Sequence, residues 1–424
     1  MSRRMVVRPR KKRVNPLVWI SVILVLINLF MFTAGYYTGV FVTKKAGVSD
    51  VAPPSPEASK VPEASPAPSE DPNAIQEDMV QKLMQDMTLS DMVYQMFFVT
   101  PESITKIGTA VAAGETTREA LKKYPVGGLV YFSKNFESRE QTAQMISNSQ
   151  SYSKIPLFIS VDEEGGRVSR LGSNAAMGTT KHPPMKQIGD TKDPQKAYAV
   201  GKTLATELKA LGFNVDFAPD ADVLVNPNNT EIGDRSFGSD PALVSKMVES
   251  VVKGMQENGL SATLKHFPGH GSTQVDSHTG YSASTRTAEQ LRLTEFLPFQ
   301  AGVGAEADFV MVSHMTLVNA VTEKVPASIS KEVITDMLLH ELQYKGIVIT
   351  DSFSMGAITE AYSAGDAAVR AVKAGVDMIL MPFDLEAAHR TIVGAVQSGE
   401  ISQARIEQSV RKILSLKVIK QMFQ

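Results

Sequence analysis

The chain has 424 residues, of which 43% are hydrophobic and 21% are charged, a composition typical of a globular protein with a large core. The net charge of −2 gives no general electrostatic reason to expect nucleic-acid binding. The chain has no cysteine, which excludes disulfides, thiolate metal sites and thiol catalysis.

The N-terminal region contains a basic segment followed by a long apolar one. Residues 1–16 carry seven basic side chains and no acidic one, and residues 17–43 carry no charge. About 20 apolar residues cross a bilayer as a helix, and a basic cluster stays on the cytoplasmic side. We therefore predict a cytoplasmic tail over 1–16 and a single-pass membrane anchor over 17–43. A cleaved signal peptide is the alternative, but its apolar core is usually shorter.

Residues 44–73 are rich in proline, serine and alanine. Such a composition buries too little apolar surface to fold, and its prolines favour an extended spacer. The sequence predicts a disordered linker here, which separates the membrane from one folded domain at 74–424. This domain is expected to be extracytoplasmic and monomeric.

Short apolar runs alternate with helical patterns along the folded part. The runs cover 95–99, 128–132, 157–161, 215–218, 262–264, 309–312, 347–350 and 378–381. The main helical patterns cover 75–92, 197–211, 241–258, 287–303, 329–342, 385–397 and 402–422. Eight such alternations favour a parallel α/β fold. We predict a (β/α)₈ barrel of the TIM type, with an open doubly wound sheet as the rival.

Polar side chains follow directly after five of the apolar runs. They are Asp162, Asp220, Lys265 with His266, His314 and Asp351. In a barrel the carboxyl ends of all strands face one site, whereas in an open sheet the ligand usually lies at one switch point. Functional residues on five strands therefore favour the barrel.

The richest segment is KHFPGHG at residues 265–271, which is followed by Asp276 and His278. Its glycines and histidines on a loop after a strand are typical of a functional site. A metal site formed by His266, His270, Asp276 and His278 is one interpretation. Proline and glycine between the first two histidines oppose it, because they break the helix on which i, i+4 ligands converge.

Asp351 follows the run 347–350 and precedes a glycine-containing turn. The residues alone are equally compatible with an active-site carboxylate and with a helix N-cap.

These two segments resemble glycoside hydrolase family 3, in its β-N-acetylglucosaminidase branch. The resemblance rests on KHFPGHG with the later Asp276-Ser277-His278, and on Thr350-Asp351 followed by SMGAI at 354–358. It covers roughly residues 80–420. One departure is Ser352-Phe353, where the family often has a second acid or a similar polar residue after the aspartate.

The resemblance implies a role for each candidate residue. Asp351 would be the nucleophile, and His278 would be the acid and base, oriented by Asp276. The residues implied to bind the sugar are Asp162, Arg167, Arg235, Lys265, His266 and His314. Neither a cofactor nor a metal is implied.

The implied activity is that of a retaining, exo-acting β-N-acetylglucosaminidase that forms a covalent glycosyl-aspartate. Together with the predicted exterior location, it suggests muropeptides derived from peptidoglycan as the substrate. Three alternatives remain open: a family 3 β-glycosidase or phosphorylase of other specificity, a non-catalytic glycan-binding barrel, and a metal-dependent hydrolase.

Overall fold

Eight parallel strands form the centre of the computed structural model, which describes residues 72–273 and 282–423. They are β1 (Phe97–Val99), β2 (Gly128–Val130), β3 (Phe158–Val161), β4 (Val215–Asp216), β5 (Ser261–Phe267), β6 (Phe309–Val312), β7 (Ile347–Thr350) and β8 (Ile379–Leu380). Each of the eight apolar runs contains or overlaps one strand. Their side chains are buried, as expected for a parallel sheet that is covered on both faces.

The strands follow one another around the sheet in chain order, and every neighbouring pair is parallel. A bridge between Ile349 and Met378 links β7 to the residue before β8. The sheet is therefore a nearly closed parallel barrel, which confirms the predicted fold class and excludes the open doubly wound alternative.

Fourteen α-helices connect and surround the described strands. They are α1 (Pro72–Gln85), α2 (Leu89–Gln95), α3 (Pro101–Thr105), α4 (Glu115–Lys123), α5 (Arg139–Tyr152), α6 (Met185–Asp190), α7 (Pro194–Lys209), α8 (Pro241–Gln256), α9 (Ala288–Leu293), α10 (Phe296–Gly304), α11 (Gly356–Thr359), α12 (Ala364–Ala374), α13 (Leu385–Gln397) and α14 (Gln403–Ile419). The segment Glu332–Glu341 is a π-helix.

Two segments that were predicted as continuous helices are each divided into two helices in the structure. The pattern at 75–92 is divided into α1 and α2, because Thr88 caps α2. Its hydroxyl accepts a hydrogen bond from the Asp91 N–H at 3.1 Å, and the Asp91 carboxylate accepts one from the Thr88 N–H at 3.0 Å. The pattern at 287–303 is divided into α9 and α10 at Thr294.

Two small strand pairs lie outside the barrel. Glu163–Gly165 and Val168–Ser169 form an antiparallel hairpin directly after β3. Ala283–Thr287 pairs in parallel with Thr316–Asn319. The sequence analysis predicted neither pair.

Helix α14 lies across the amino ends of the barrel strands. The Lys412 ammonium donates to the Gly346 carbonyl, just before β7, at 3.2 Å. The Lys417 ammonium donates to the Gly127 carbonyl, just before β2, at 3.0 Å. This end of the barrel is thereby covered, and the carboxyl ends of the strands are the ones left to present a site.

The predicted tail (1–16), the anchor (17–43) and the linker up to residue 71 lie outside the described residues. Helix α1 begins at Pro72, so it overlaps the last two residues of the predicted linker. Within residues 72–273 and 282–423, no helix combines the length and the apolar character needed to span a bilayer.

Candidate active site

A cavity of about 270 Å³ opens at the carboxyl ends of the strands. Its wall includes residues in or just after seven of the eight barrel strands: Val130, Asp162, Phe217, Lys265, His266, Met311, Asp351 and Leu380. The structure brings four of the predicted site residues, Asp162, Lys265, His266 and Asp351, to this one cavity.

Asp351 borders this cavity from the end of β7. Its backbone N–H donates to the Val312 carbonyl at 2.8 Å, and its Oδ1 accepts from the Ser352 N–H at 2.7 Å. The next helix, α11, starts at Gly356 and has Met355 as its N-cap residue. The helix N-cap interpretation of Asp351 was therefore wrong, since the carboxylate lies at the cavity and not at a helix end.

Lys265 lies between two carboxylates in the cavity wall. Its ammonium is 2.8 Å from Asp162 Oδ1 and 2.6 Å from Glu164 Oε1, and the side chain is 3% exposed. Burial acts to lower the pKa of Lys265, but the charges of Asp162 and Glu164 outweigh it and raise this pKa above its ordinary value. The lysine is thus a fixed cation in an almost dry site.

Arg235 is held in the same wall by Glu164. Its Nε and one terminal nitrogen lie 2.9 and 2.8 Å from the two oxygens of Glu164, in the bidentate geometry that gives strong, directional pairing. Burial acts to raise the pKa of Glu164, but Arg235 and Lys265 hold it below the ordinary value. Sequence analysis missed Glu164, which looked like part of a solvated acidic turn.

His266 and Asp222 form a buried pair beside Arg235. The Nδ1 of His266 is 2.8 Å from Asp222 Oδ2, and its Nε2 is 3.2 Å from an Arg235 nitrogen. His270, four residues later, is also buried, and burial lowers its pKa to about 4. His266 reaches the cavity, whereas the ring of His270 contacts the Thr273 hydroxyl at 3.1 Å.

Two further buried acids lie near the carboxyl end of β4. Asp216 and Asp220 are fully buried, and burial raises the pKa of both carboxyls well above the ordinary value. Sequence analysis placed Asp220 after a strand but did not predict that it would be buried.

Asp220, Asp222 and His266 are the one group in the described part of the chain whose ligand atoms converge enough for a metal ion, within 4.8 Å of one another. However, the Arg235 guanidinium lies 3.6 Å from Asp220 and 3.2 Å from His266. This cation lies against two of the three groups and would repel a metal ion. The donor set therefore fits an arginine better than a metal.

The structure places Arg167 outside the cavity wall and brings Arg170 into it. Arg167 is 43% exposed and binds the Thr230 carbonyl at 2.7 Å, on the segment that leads to Arg235. Arg170 borders the cavity, 3.8 Å from Asp162 and above the Phe132 ring. Sequence analysis missed Arg170. The sequence does show it as a second arginine three residues after Arg167, next to a tight hairpin turn.

His314 lies behind the cavity wall. Its two ring nitrogens are 2.8 Å from the Ser328 hydroxyl and 2.8 Å from the Ser352 carbonyl. His314 is not among the described residues that line the cavity, and its predicted contact with a sugar stays a prediction. The ring joins the end of β6 to the residue after Asp351.

Asp276 and His278 lie outside the described residues, so their predicted roles remain predictions. The described residues on either side of this segment are held together. The Ser272 and Ser284 hydroxyls, one on each side, are 2.9 Å apart.

Residues 88–416 match the sequence profile described as Glycosyl hydrolase family 3 N terminal domain. The chain is 34% identical over 331 residues to beta-hexosaminidase A of Pseudoalteromonas piscicida, covering 70% of this chain and 54% of that one. It is 36% identical over 283 residues to a beta-hexosaminidase of Stenotrophomonas maltophilia, covering 65% and 81%. The chain thus spans about half of the first relative and most of the second.

A solved structure shows the same likeness in three dimensions. It is a glycoside hydrolase family 3 beta-N-acetylglucosaminidase from Paenibacillus sp. str. FPU-7, which superposes with a TM-score of 0.74 at 36% identity. The superposition covers 80% of this chain and 64% of that structure.

Proposed function

Because the chain belongs to glycoside hydrolase family 3, we propose that it hydrolyses terminal β-linked N-acetylglucosamine with retention of configuration. One observation carries this proposal: Asp351 shares a cavity with the charged cluster of Asp162, Lys265 and Arg235. This cavity therefore joins a potential nucleophile to a set of groups that can orient a sugar.

Asp351 is the proposed nucleophile. Its carboxylate attacks the anomeric carbon, the bond to the aglycone oxygen breaks, and a glycosyl ester forms. Water then attacks the same carbon and releases the aspartate, so two inversions give net retention. The short connection from β7 and the hydrogen bond from the Ser352 N–H fix one oxygen of this carboxylate.

His278, oriented by Asp276, is the proposed acid and base. It donates a proton to the leaving oxygen in the first step and removes one from water in the second. A histidine with an ordinary pKa near 6.5 suits both steps near neutral pH. Support comes from the Asp-x-His spacing beside KHFPGHG.

The proposed sugar ligands are Asp162, Lys265, Arg235, His266 and Arg170. Hydroxyls are weak partners in water, but charged groups in a dry site bind and orient them strongly. Lys265 and Arg235 are only 3% and 7% exposed, so most of the water around them is already excluded. We assign Arg167 the indirect role of supporting the segment that carries Arg235.

We also propose that residues 17–43 anchor the enzyme in the membrane and that the barrel acts outside the cytoplasm on muropeptides derived from peptidoglycan. The uncharged segment after seven basic side chains supports this placement. Fractionation of cells that express the full chain, with protease added from outside, tests the orientation. Protection of the barrel in intact, wall-free cells would contradict it.

The activity is tested with the purified full chain on an aryl β-N-acetylglucosaminide and on the matching β-glucoside, with and without a chelator. We expect turnover only of the N-acetylated substrate and no effect of the chelator. Turnover of the glucoside would place the chain in another branch of the family, and loss of activity with the chelator would favour a metal-dependent hydrolase.

Two further arms separate the remaining alternatives. Replacing water by phosphate as the acceptor distinguishes a phosphorylase, which would yield a sugar 1-phosphate. If a folded sample turns over neither substrate but binds N-acetylglucosamine oligomers, the glycan-binding alternative is correct.

A further inference from the structure

Asp222 is a buried carboxylate that has no role in the mechanism above. It lies on the segment after β4 and is 0% exposed. Its Oδ1 accepts from the His270 N–H at 2.5 Å, and its Oδ2 accepts from the His266 N–H at 3.3 Å and contacts His266 Nδ1 at 2.8 Å. One side chain thus holds both ends of the segment from His266 to His270.

The partners of the His266 ring determine which nitrogen carries the proton. A carboxylate accepts hydrogen bonds and cannot donate one, so the nitrogen that faces Asp222, Nδ1, carries hydrogen. An arginine guanidinium donates and cannot accept, so the nitrogen that faces Arg235, Nε2, presents its lone pair. The bidentate contact with Glu164 prevents Arg235 from turning away.

We propose that Asp222 is a positioning residue that fixes His266 in the Nδ1–H form, so that Nε2 accepts from Arg235 and helps to hold this guanidinium at the cavity wall. Arg235, a proposed sugar ligand, then meets the substrate in a fixed position. The substrate part of this inference rests on the proposed glycosidase function, whereas the position of the proton does not.

Two further titratable groups lie near the ring. Asp220 belongs to the same cluster of ligand atoms, and the His270 ring lies 6.0 Å from the His266 ring. Arg235 is the cation in contact with the ring, and a second positive charge on His266 would face it directly. A neutral imidazole avoids that repulsion.

The proton position is measured on the full chain, purified in a mild detergent and labelled with ¹⁵N only at histidine. Two-bond ¹H–¹⁵N spectra near neutral pH distinguish the two neutral forms and the doubly protonated ring. The signals of His266 are assigned by their loss in His266→Gln. We expect the Nδ1–H pattern. An Nε2–H or doubly protonated pattern in the wild-type protein would by itself overturn the proposal.

Asp222→Asn tests whether the carboxylate causes this pattern. An amide has one acceptor and one donor end, so it cannot accept from both His266 and His270. We expect the His266 pattern to shift toward Nε2–H or to become mixed. An unchanged pattern in a folded Asp222→Asn sample would show that Asp222 does not set the tautomer.

Asp377→Asn is the matched control. Asp377 is a buried carboxylate at the opposite end of the barrel, where it accepts from the Ser409 hydroxyl at 2.6 Å and from Lys412 at 3.0 Å. We expect this variant to be less stable but to keep the His266 pattern. A change in both variants would indicate a general loss of structure.

The kinetic arm compares the wild-type protein with Asp222→Asn on an aryl β-N-acetylglucosaminide. Because a misplaced Arg235 would bind the sugar less tightly, Asp222→Asn should raise KM more than it changes kcat.

An unchanged KM in a folded Asp222→Asn sample would overturn the proposed effect on Arg235. If the chain has no glycosidase activity at all, the proposed function fails while the spectra still decide the tautomer.

Discussion

Lys265 and Lys417 are both buried within the barrel, at opposite ends, and their surroundings differ in charge. Lys265 contacts the carboxylates of Asp162 and Glu164, which raise its pKa despite burial. Lys417 donates to the Gln95 side-chain oxygen at 2.9 Å and to the Gly127 carbonyl at 3.0 Å. With these neutral partners, burial lowers the pKa of Lys417 to about 7.

The difference shows that burial alone does not identify a functional charge. At the carboxyl ends of the strands, anions and cations are paired around an open cavity, so the charges persist and face a ligand. At the amino ends, a lysine from α14 satisfies backbone and amide oxygens and helps to close the barrel. A larger cavity of about 650 Å³ lies beside α14 at the amino ends of the strands. Its lining includes Tyr344 and Lys412.

The largest expected effect at the cavity end is that of Asp351→Asn. The amide cannot form the glycosyl ester, so turnover should fall by about a thousandfold or more while the fold is retained. Steady-state kinetics on an activated aryl substrate measures the loss, and circular dichroism checks the fold. Retention of more than about a tenth of the wild-type rate would mean that another group is the nucleophile.

Glu164→Gln removes the anion shared by Lys265 and Arg235. Because buried Arg235 would lose its main counter-charge and buried Lys265 one of its two, the free energy of unfolding should fall by about 3–5 kcal/mol. KM should rise as well, since both cations would lose their fixed positions. Urea unfolding and steady-state kinetics measure the two effects.

Glu400→Gln is the control for Glu164→Gln. Glu400 pairs with Lys373 at 2.9 Å, but both side chains are about half exposed. Removing this surface pair should change the free energy of unfolding by less than about 1 kcal/mol. Equal losses of unfolding free energy in the two variants would show that the buried charges at the cavity stabilise the fold no more than a surface ion pair does.

The strands were predictable because parallel barrel strands are buried on both faces and appear as continuous apolar runs. The helix break at Thr88 was not recognised, although Thr88 and Asp91 have the spacing of a capping pair. The hairpin at Glu163–Gly165 and Val168–Ser169 was missed, because its acidic and glycine residues resemble a solvated turn.

The site was predictable where a residue lies near the carboxyl end of a barrel strand, as for Asp162, Lys265 and Asp351. It was not predictable where long-range folding brings a residue to the cavity. Glu164 and Arg170 reach it through the hairpin, and Asp222 reaches His266 from a different strand connection. Arg167 was preferred to Arg170 because of the resemblance, and only the hairpin geometry separates the two.

A pH-dependent effect tests the amino end of the barrel with Lys417→Met. In the folded protein Lys417 loses its proton above about pH 7, whereas in the unfolded chain it keeps the proton up to its ordinary pKa of about 10.4. The unfolded state therefore binds more protons between these values, so the wild-type free energy of unfolding should rise with pH relative to Lys417→Met. The rise should approach about 1.4 kcal/mol per pH unit.

Urea unfolding of both proteins between pH 6 and 10 measures this difference. Below about pH 7 both states of the wild-type protein hold the proton, so the difference between the two proteins should become constant. A difference that stays constant up to pH 10 would show that folded Lys417 keeps its proton. The two buried lysines would then carry the same charge, and the carboxylates beside Lys265 would no longer be needed to explain why that lysine remains a cation.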